Sequence, residues 1–329
     1  MNYHRVLVTG GAGFIGSHLL DALISRARAL LLRPELIKIK RDQVATFYTL
    51  RKNFPDIYNK LKNYNVAQFT TPLWENYNKK LEKTFLPYPP FSFLENPVIM
   101  HTMFVAAGGK WLRKELAFLE KKISKNRLKV LLQEDYVGDP LLFNLTYLTS
   151  HNSIHHLYHL IRFFDKTRCN LDQIDTTVEW GGGYGNMAKI FKRLKPTSST
   201  YIIIDTPLFS CIQWLYLTTV FGVENVHLLQ NAEDTIQAEK INLVPICFLD
   251  CREISADLFI STWALSESSK YSQDYVVAHK WFDSKYILLA YQDSCEKLPD
   301  AGRLGKLAAD IGATIENIEF LPGNHYAFR

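Results

Sequence analysis

Hydrophobic positions along the 329-residue chain follow two main rhythms. From about residue 35 to 150 they recur at helical spacing. "NFPD", "FLPYPPF" and "NPV" interrupt them with prolines that end or separate helices. Beyond about residue 175, short apolar runs alternate with amphipathic stretches. Residues 177–180, "TYIIID", "VENVHLL", "ADLFIST" and "KYILLAY" read as strands. "NMAKIFKRL", "LFSCIQWLYLTTVFG", "SQDYVVAHKWF" and "RLGKLAADIG" read as helices, and "TIENIEFLPGNHYAFR" as a closing extended pair. This alternation predicts a doubly wound, Rossmann-like α/β domain. A shorter pattern opens the chain. Residues 5–9 read as a strand, Gly10, Gly13 and Gly16 as a turn, and Leu19, Leu20, Leu23 and Ile24 as a helix face. The predicted organisation is a strand–turn–helix fragment over 1–30, a mainly helical accessory region over 31–150 and the α/β domain over 151–329.

Candidate chemistry concentrates at the first turn of the α/β segment. Glu179, Gly181, Gly183 and Gly185 alternate with other residues after the strand, and Met187, Ile190, Phe191 and Leu194 then mark one helix face. The next strand ends in Asp205, 20 positions after Gly185 (205 − 185). A nucleotide-binding βαβ unit needs an acid there to accept hydrogen bonds from ribose hydroxyls.

The Glu-x-Gly-x-Gly-x-Gly pattern with Asp205 resembles the class I S-adenosylmethionine-dependent methyltransferases. More narrowly, "VEWGGGYGNMAKIFKRL", "YIIIDTP", "LFISTWALSE" and the preceding "LTSHNSIHHLYHLIRF" are similar to sugar O-methyltransferases found with polysaccharide-building genes. The similarity spans roughly residues 135–329. It implies an O-methyltransferase that uses S-adenosyl-L-methionine on a saccharide or sugar-nucleotide acceptor. By that resemblance, Gly181, Gly183 and Gly185 pass the methionine part close to the backbone, Glu179 lies near its ammonium, and Asp205 takes the ribose. Asn231, Glu233 or Asp234 would approach the adenine. A sugar hydroxyl is a poor nucleophile, so a general base is expected. The candidates are His325 near the C-terminal strands, Glu267 after the fourth predicted strand and His155 on the preceding helix. Spacing identifies no metal site.

The opening "VTGGAGFIGSHL" resembles extended short-chain dehydrogenases, over only about the first 25 residues. "RALLLRPELIKIKRDQ" supplies no ribose acid where a second strand would end. Tyr58 and Lys62 have the Tyr-x-x-x-Lys spacing of that family but come early in the chain. An NAD-dependent sugar-nucleotide epimerase or dehydratase is therefore the alternative reading. A non-catalytic S-adenosylmethionine-binding protein is the third.

Composition adjusts this picture in few places. Hydrophobic residues make up 47% and charged residues 22%, the profile of a globular protein. The net charge of +5 resides partly in "KIKRDQ", "NKKLEK" and "LEKKISKNRLK", which read as solvated helix faces; no nucleic-acid partner is expected. Five cysteines at irregular spacing suggest no disulfide framework, and a reducing cytoplasm is expected. No long apolar run predicts a membrane span, and the glycines and Asp21 argue against a signal peptide. His151, His155 and His159 recur every four residues on one predicted helix, whose start within 150–153 would place His151 in the cap rather than on that face.

Overall fold

In the computed structural model the described residues are 35–103, 110–196 and 198–329. The opening glycine turn and the fragment built on it lie outside them. Eight strands form one sheet: β1 (Thr176–Trp180), β2 (Thr200–Asp205), β3 (Val226–Leu228), β4 (Ile241–Pro245), β5 (Leu258–Thr262), β6 (Tyr286–Gln292), β7 (Thr314–Asn317) and β8 (Asn324–Phe328). Their order is β3-β4-β2-β1-β5-β6-β8-β7. The pairings from β3 to β6 are parallel, whereas β8 runs antiparallel to both β6 and β7. The α/β architecture is the one the alternating pattern predicts.

One strand departs from that prediction. β4, "INLVP", sits between β2 and β3 and pushes β3 to the sheet edge. All five of its positions are buried, so it shows none of the alternation that marks a half-buried strand.

The helices are α1 (Glu35–Leu50), α2 (Phe54–Leu61), α3 (Pro72–Phe85), α4 (Pro97–Thr102), α5 (Lys110–Lys122), α6 (Lys125–Leu132), α7 (His151–Thr167), α8 (Asn186–Leu194), α9 (Pro207–Phe221), α10 (Ala264–Glu267), α11 (Lys270–Ala278) and α12 (Arg303–Asp310). α9 is apolar and buried almost all round. A helix of that kind needs cover on every side. α1 and α2 supply it on the side away from the sheet. α7 packs between α5 and α8. One continuous apolar core accordingly runs from Phe47 to Phe328. Among the described residues no helix is long and apolar enough to cross a membrane.

A buried polar network ties the helical region to the sheet domain. Lys189 of α8, fully buried, places Nζ 2.7 Å from Glu134 Oε2. Glu134 Oε1 accepts from the hydroxyls of Ser150 and Ser153. Ser150 also caps α7 by accepting from the Ser153 N–H, so His151 begins the helix. Burial raises the Glu134 pKa, but Lys189 and the two hydroxyls outweigh it and hold the carboxyl below its ordinary 4.5. Arg193 and Gln43 bind the neighbouring Asp135 at 2.7 and 2.9 Å.

Removing one partner of such a pair strands the other charge, at a cost of about 3–5 kcal/mol. Lys189→Ala is expected to lower unfolding free energy by that amount in urea titrations. The sign with pH follows from the depressed folded pKa. The Glu134 contribution is complete above its unfolded value, near 4.5, and is lost as pH falls through the lower folded value. The wild-type advantage over Lys189→Ala should therefore shrink at acidic pH.

Candidate functional site

The sheet changes direction around β1, whose neighbours are β2 on one side and β5 on the other. Crevices in open α/β sheets form outside the carboxyl ends of strands at such a point. A cavity of about 130 Å³ lies there, lined from the sheet by Glu179, Trp180, the glycine turn, Asp205, Trp263 and Glu267. The helical region adds Phe69, Trp74 and Met103, and α7 adds Asn152, His155 and His156.

The turn after β1 fits closely into its surroundings. Gly181 has φ +74, and a Cβ there would stand 2.1 Å from Ala264 Cβ. Gly183 has φ +57, and a Cβ there would meet Met103 Sδ at 3.1 Å. Both positions combine the left-handed backbone region with close approach, so glycine is required for two reasons. Gly185, also left-handed, begins α8.

Glu179 is buried at the turn and its Oε2 accepts from the Tyr201 hydroxyl at 2.9 Å. Burial pushes its carboxyl up to about 8; the Tyr201 bond opposes this and nearby Asp205 adds to it. At the end of β2, Asp205 Oδ1 accepts from the Thr206 N–H at 2.7 Å and Oδ2 from Gln213 Nε2 at 2.8 Å. Burial raises it to about 7 against these bonds and those from Gly183 and Gly182. Gln213 Nε2 also donates to Gly183 O at 2.9 Å, so one α9 side chain joins the acid to the glycine turn. The cavity has polar capacity to spare: Asn152 Oδ1 and Thr206 Oγ1 are buried in its wall without hydrogen-bond partners.

On the other side, the Trp74 indole N–H donates to Glu267 Oε2 at 3.1 Å, and the Trp74 ring meets Phe209 edge-on at 5.8 Å. Burial lifts Glu267 to about 7, against the Trp74 bond. Trp180 is buried with its indole N–H on Ser268 Oγ at 3.1 Å. Trp263, at φ +63 between β5 and α10, donates its indole N–H to Asn324 Oδ1 at 2.6 Å. A left-handed conformation at so bulky a residue is a strained feature placed at the cavity wall.

The structure brings Glu179, Gly181, Gly183, Asp205, His155 and Glu267 to this one cavity. His325 is not among its lining residues. Side chains alternate along β8. Asn324 therefore faces Trp263, while His325 turns to Asn317 Oδ1 at 3.0 Å and Asp293 Oδ1 at 2.9 Å. Asn231, Glu233 and Asp234 close hydrogen bonds within their own loop and do not line the cavity. Ile246, following the unforeseen β4, does. Tyr58 is buried in the helical core, where burial raises its hydroxyl pKa, and Lys62 bonds to it only through the helix backbone. Of the three histidines that recur every four residues on α7, His151 packs against Phe143, whereas the rings of His155 and His159 lie 4.0 Å apart. Burial holds His156 down to about 3 and His159 well below its ordinary value. Among the described residues no group of three or more His, Cys, Asp or Glu is placed to hold a metal ion.

No family model and no curated protein matches the chain. Solved structures similar to it include the pyocyanin biosynthetic protein PhzM, at 11% identity and TM-score 0.35 over 54% of this chain and 56% of that one. Human N-acetylserotonin methyltransferase, in complex with S-adenosylmethionine, has 13% identity and TM-score 0.32 over 66% and 65%. A Leishmania major S-adenosylmethionine-dependent methyltransferase has 10% identity and TM-score 0.37 over 67% and 83%. The chain spans less than two thirds of the first two of these proteins' lengths.

The turn geometry makes a direct prediction. Gly181→Ala forces a Cβ into Ala264 and a side chain into a left-handed backbone. It is expected to destabilise the protein by about 1–3 kcal/mol, read as a lower midpoint in chemical denaturation. An unchanged midpoint would show that the turn is not tightly packed against α10.

Proposed function

We propose that the protein is an S-adenosylmethionine-dependent O-methyltransferase that modifies a saccharide hydroxyl in glycan or polysaccharide biosynthesis. The observation that carries this reading is the single cavity in which buried Glu179, the glycine turn and Asp205 converge at the carboxyl ends of β1 and β2. A carboxyl group lifted to about 8 by burial suits a cationic ligand group, which would restore its charge. The glycine turn lets a ligand chain lie against backbone. Asp205, already bonded to Thr206 and Gln213, keeps lone-pair capacity for a ribose hydroxyl. Asn152 and Thr206 add polar atoms that lack partners in the protein.

When bound, S-adenosylmethionine supplies an electrophilic methyl group. The chain's part is to position donor and acceptor and to exclude water. Trp74, Phe209 and Phe69 give the acceptor side flat apolar surfaces, and Glu267 gives it an acceptor for hydroxyl protons. That combination of ring faces and a carboxyl supports a polyhydroxyl acceptor. The described cysteines, all free, are consistent with a reducing compartment such as the cytoplasm.

Calorimetry with S-adenosylhomocysteine tests the cofactor assignment. Binding is expected, and Asp205→Ala should weaken it at least tenfold. The pH dependence has a definite sign. Free Glu179 is protonated below about 8, and a ligand ammonium favours the carboxylate. Affinity should therefore improve from pH 6 to 8, with a flatter profile in Glu179→Gln. Transfer of labelled methyl groups to a panel of free saccharides and sugar nucleotides tests the acceptor class. Binding of S-adenosylhomocysteine without transfer to any member would refute the saccharide assignment.

A further inference from the structure

Among the described residues, the buried carboxyl groups outside the cavity are each met by a basic side chain. Glu134 has Lys189 Nζ at 2.7 Å, Asp135 has Arg193 Nη2 at 2.7 Å, and Glu115 has His155 Nδ1 at 2.8 Å. The carboxyl groups that line the cavity accept only from neutral donors among the described residues. Glu179 is held by Tyr201, Asp205 by Thr206, Gln213 and the glycine turn, and Glu267 by the Trp74 indole N–H at 3.1 Å. No Lys or Arg is among the described residues of the cavity wall, and burial keeps His156 there neutral. A desolvated carboxylate needs a counter-charge or else stays protonated. On the methyl-transfer reading above, a ligand ammonium answers Glu179 and a ribose answers Asp205. Glu267 is left over. It shares its part of the wall with Trp74, Phe69 and Phe209, the side assigned above to the acceptor. The indole N–H fixes Oε2, and the carboxylate keeps lone pairs for a further donor. The π faces of the three rings attract a cation and not an anion.

We propose that the acceptor is an amino sugar and that Glu267 is the residue that selects it, by pairing with its protonated amine. This rests on the methyl-transfer reading above and narrows its saccharide class. The pairing has a chemical consequence. A free amine is a better nucleophile than a hydroxyl and would take the methyl group first. Protonated beside Glu267, the nitrogen has no lone pair to give. A hydroxyl oxygen of the same sugar then gains the methyl group as the sulfur–carbon bond breaks with its electron pair on sulfur, and the hydroxyl proton leaves to solvent. The products are an O-methyl amino sugar, still protonated on nitrogen, and a neutral thioether. A neutral sugar would leave the Glu267 acid without a counter-charge. A sugar phosphate or sugar nucleotide would bring negative charge to a wall that already holds three carboxyl groups.

Calorimetry on the full chain saturated with S-adenosylhomocysteine tests the selection without turnover. Glucosamine, galactosamine and mannosamine are each compared with the neutral hexose and with the N-acetyl form. At least one amino sugar should bind about tenfold or more tightly than both counterparts, and Glu267→Gln should cut that advantage to about twofold or less. Binding of S-adenosylhomocysteine by the variant shows that it is folded. With S-adenosylmethionine, mass spectrometry of the product should place the methyl group on oxygen in wild type, with a rising share on nitrogen in Glu267→Gln. Equal affinity for amino and neutral sugars, a preference that survives Glu267→Gln, or binding of no member overturns the amino-sugar assignment. S-adenosylhomocysteine binding, and with it the methyltransferase reading, stands in each of those cases. Methyl on nitrogen in wild type overturns the role of Glu267 in keeping the amine protonated. Failure of wild type to bind S-adenosylhomocysteine overturns both readings.

Discussion

A parallel sheet has no face it can leave wet, and this constraint shapes the whole molecule. β1, β2 and β5 lie in the middle of the sheet and are buried along nearly their full length. The helices that cover them must themselves be covered where they are apolar. α9 is the extreme case, with almost no polar face, and α1 and α2 pack across its outer side. The same helical region reaches over the carboxyl ends of the strands. Ser272 Oγ donates to Phe69 O at 2.8 Å, and Thr71 Oγ1 to Glu267 O at 3.2 Å. These bonds hold the segment that brings Phe69 and Trp74 to the cavity. Cover for the sheet and a wall for the site are thus one structural element.

That dual role decides what could be read from sequence. Glu179, the glycines and Asp205 belong to one βαβ unit, so their relation is encoded by short spacings and strand–helix periodicity. Trp74 and Glu115 have no such code. The partner of Trp74 stands 193 positions away and that of Glu115 stands 40 away. The region containing both shows helical periodicity, but periodicity says only which face is buried, not which site the buried face approaches. Gln213 is hidden in another way. It is a polar residue in an apolar helix, a local exception that marks a buried hydrogen-bonding task, here the link between Asp205 and Gly183.

β4 and His325 show the two ways in which local patterns mislead. In β4 every position is buried, so a run of five residues carries no period at all. Missing it shifts the strand beside β2 and sends attention to the loop after β3, whose polar side chains bond to their own backbone. With His325 the strand itself is foreseen, but the pattern does not say which neighbours its side chain meets. One residue of register separates Asn324, which holds Trp263, from His325, which faces Asp293. A period of two makes such a choice absolute.

The electrostatics of the cavity follow from the same burial. Glu179, Asp205 and Glu267 are raised to about 8, 7 and 7, each with desolvation as the leading cause. Their hydrogen bonds, to Tyr201, to Thr206 and Gln213, and to Trp74, hold the groups in place without restoring the ordinary carboxylate range. Glu134 shows what restoration takes. Also desolvated by burial, it drops below its ordinary value because the Lys189 ammonium lies 2.7 Å away. The difference between these carboxyl groups is the difference between a completed ion pair and hydrogen bonds from neutral donors. Under the proposed reaction, the missing positive charge beside Glu179 arrives with the cofactor. A site arranged in this way discriminates by charge as well as by shape, because only a cationic ligand converts the desolvation penalty on that acid into an attraction.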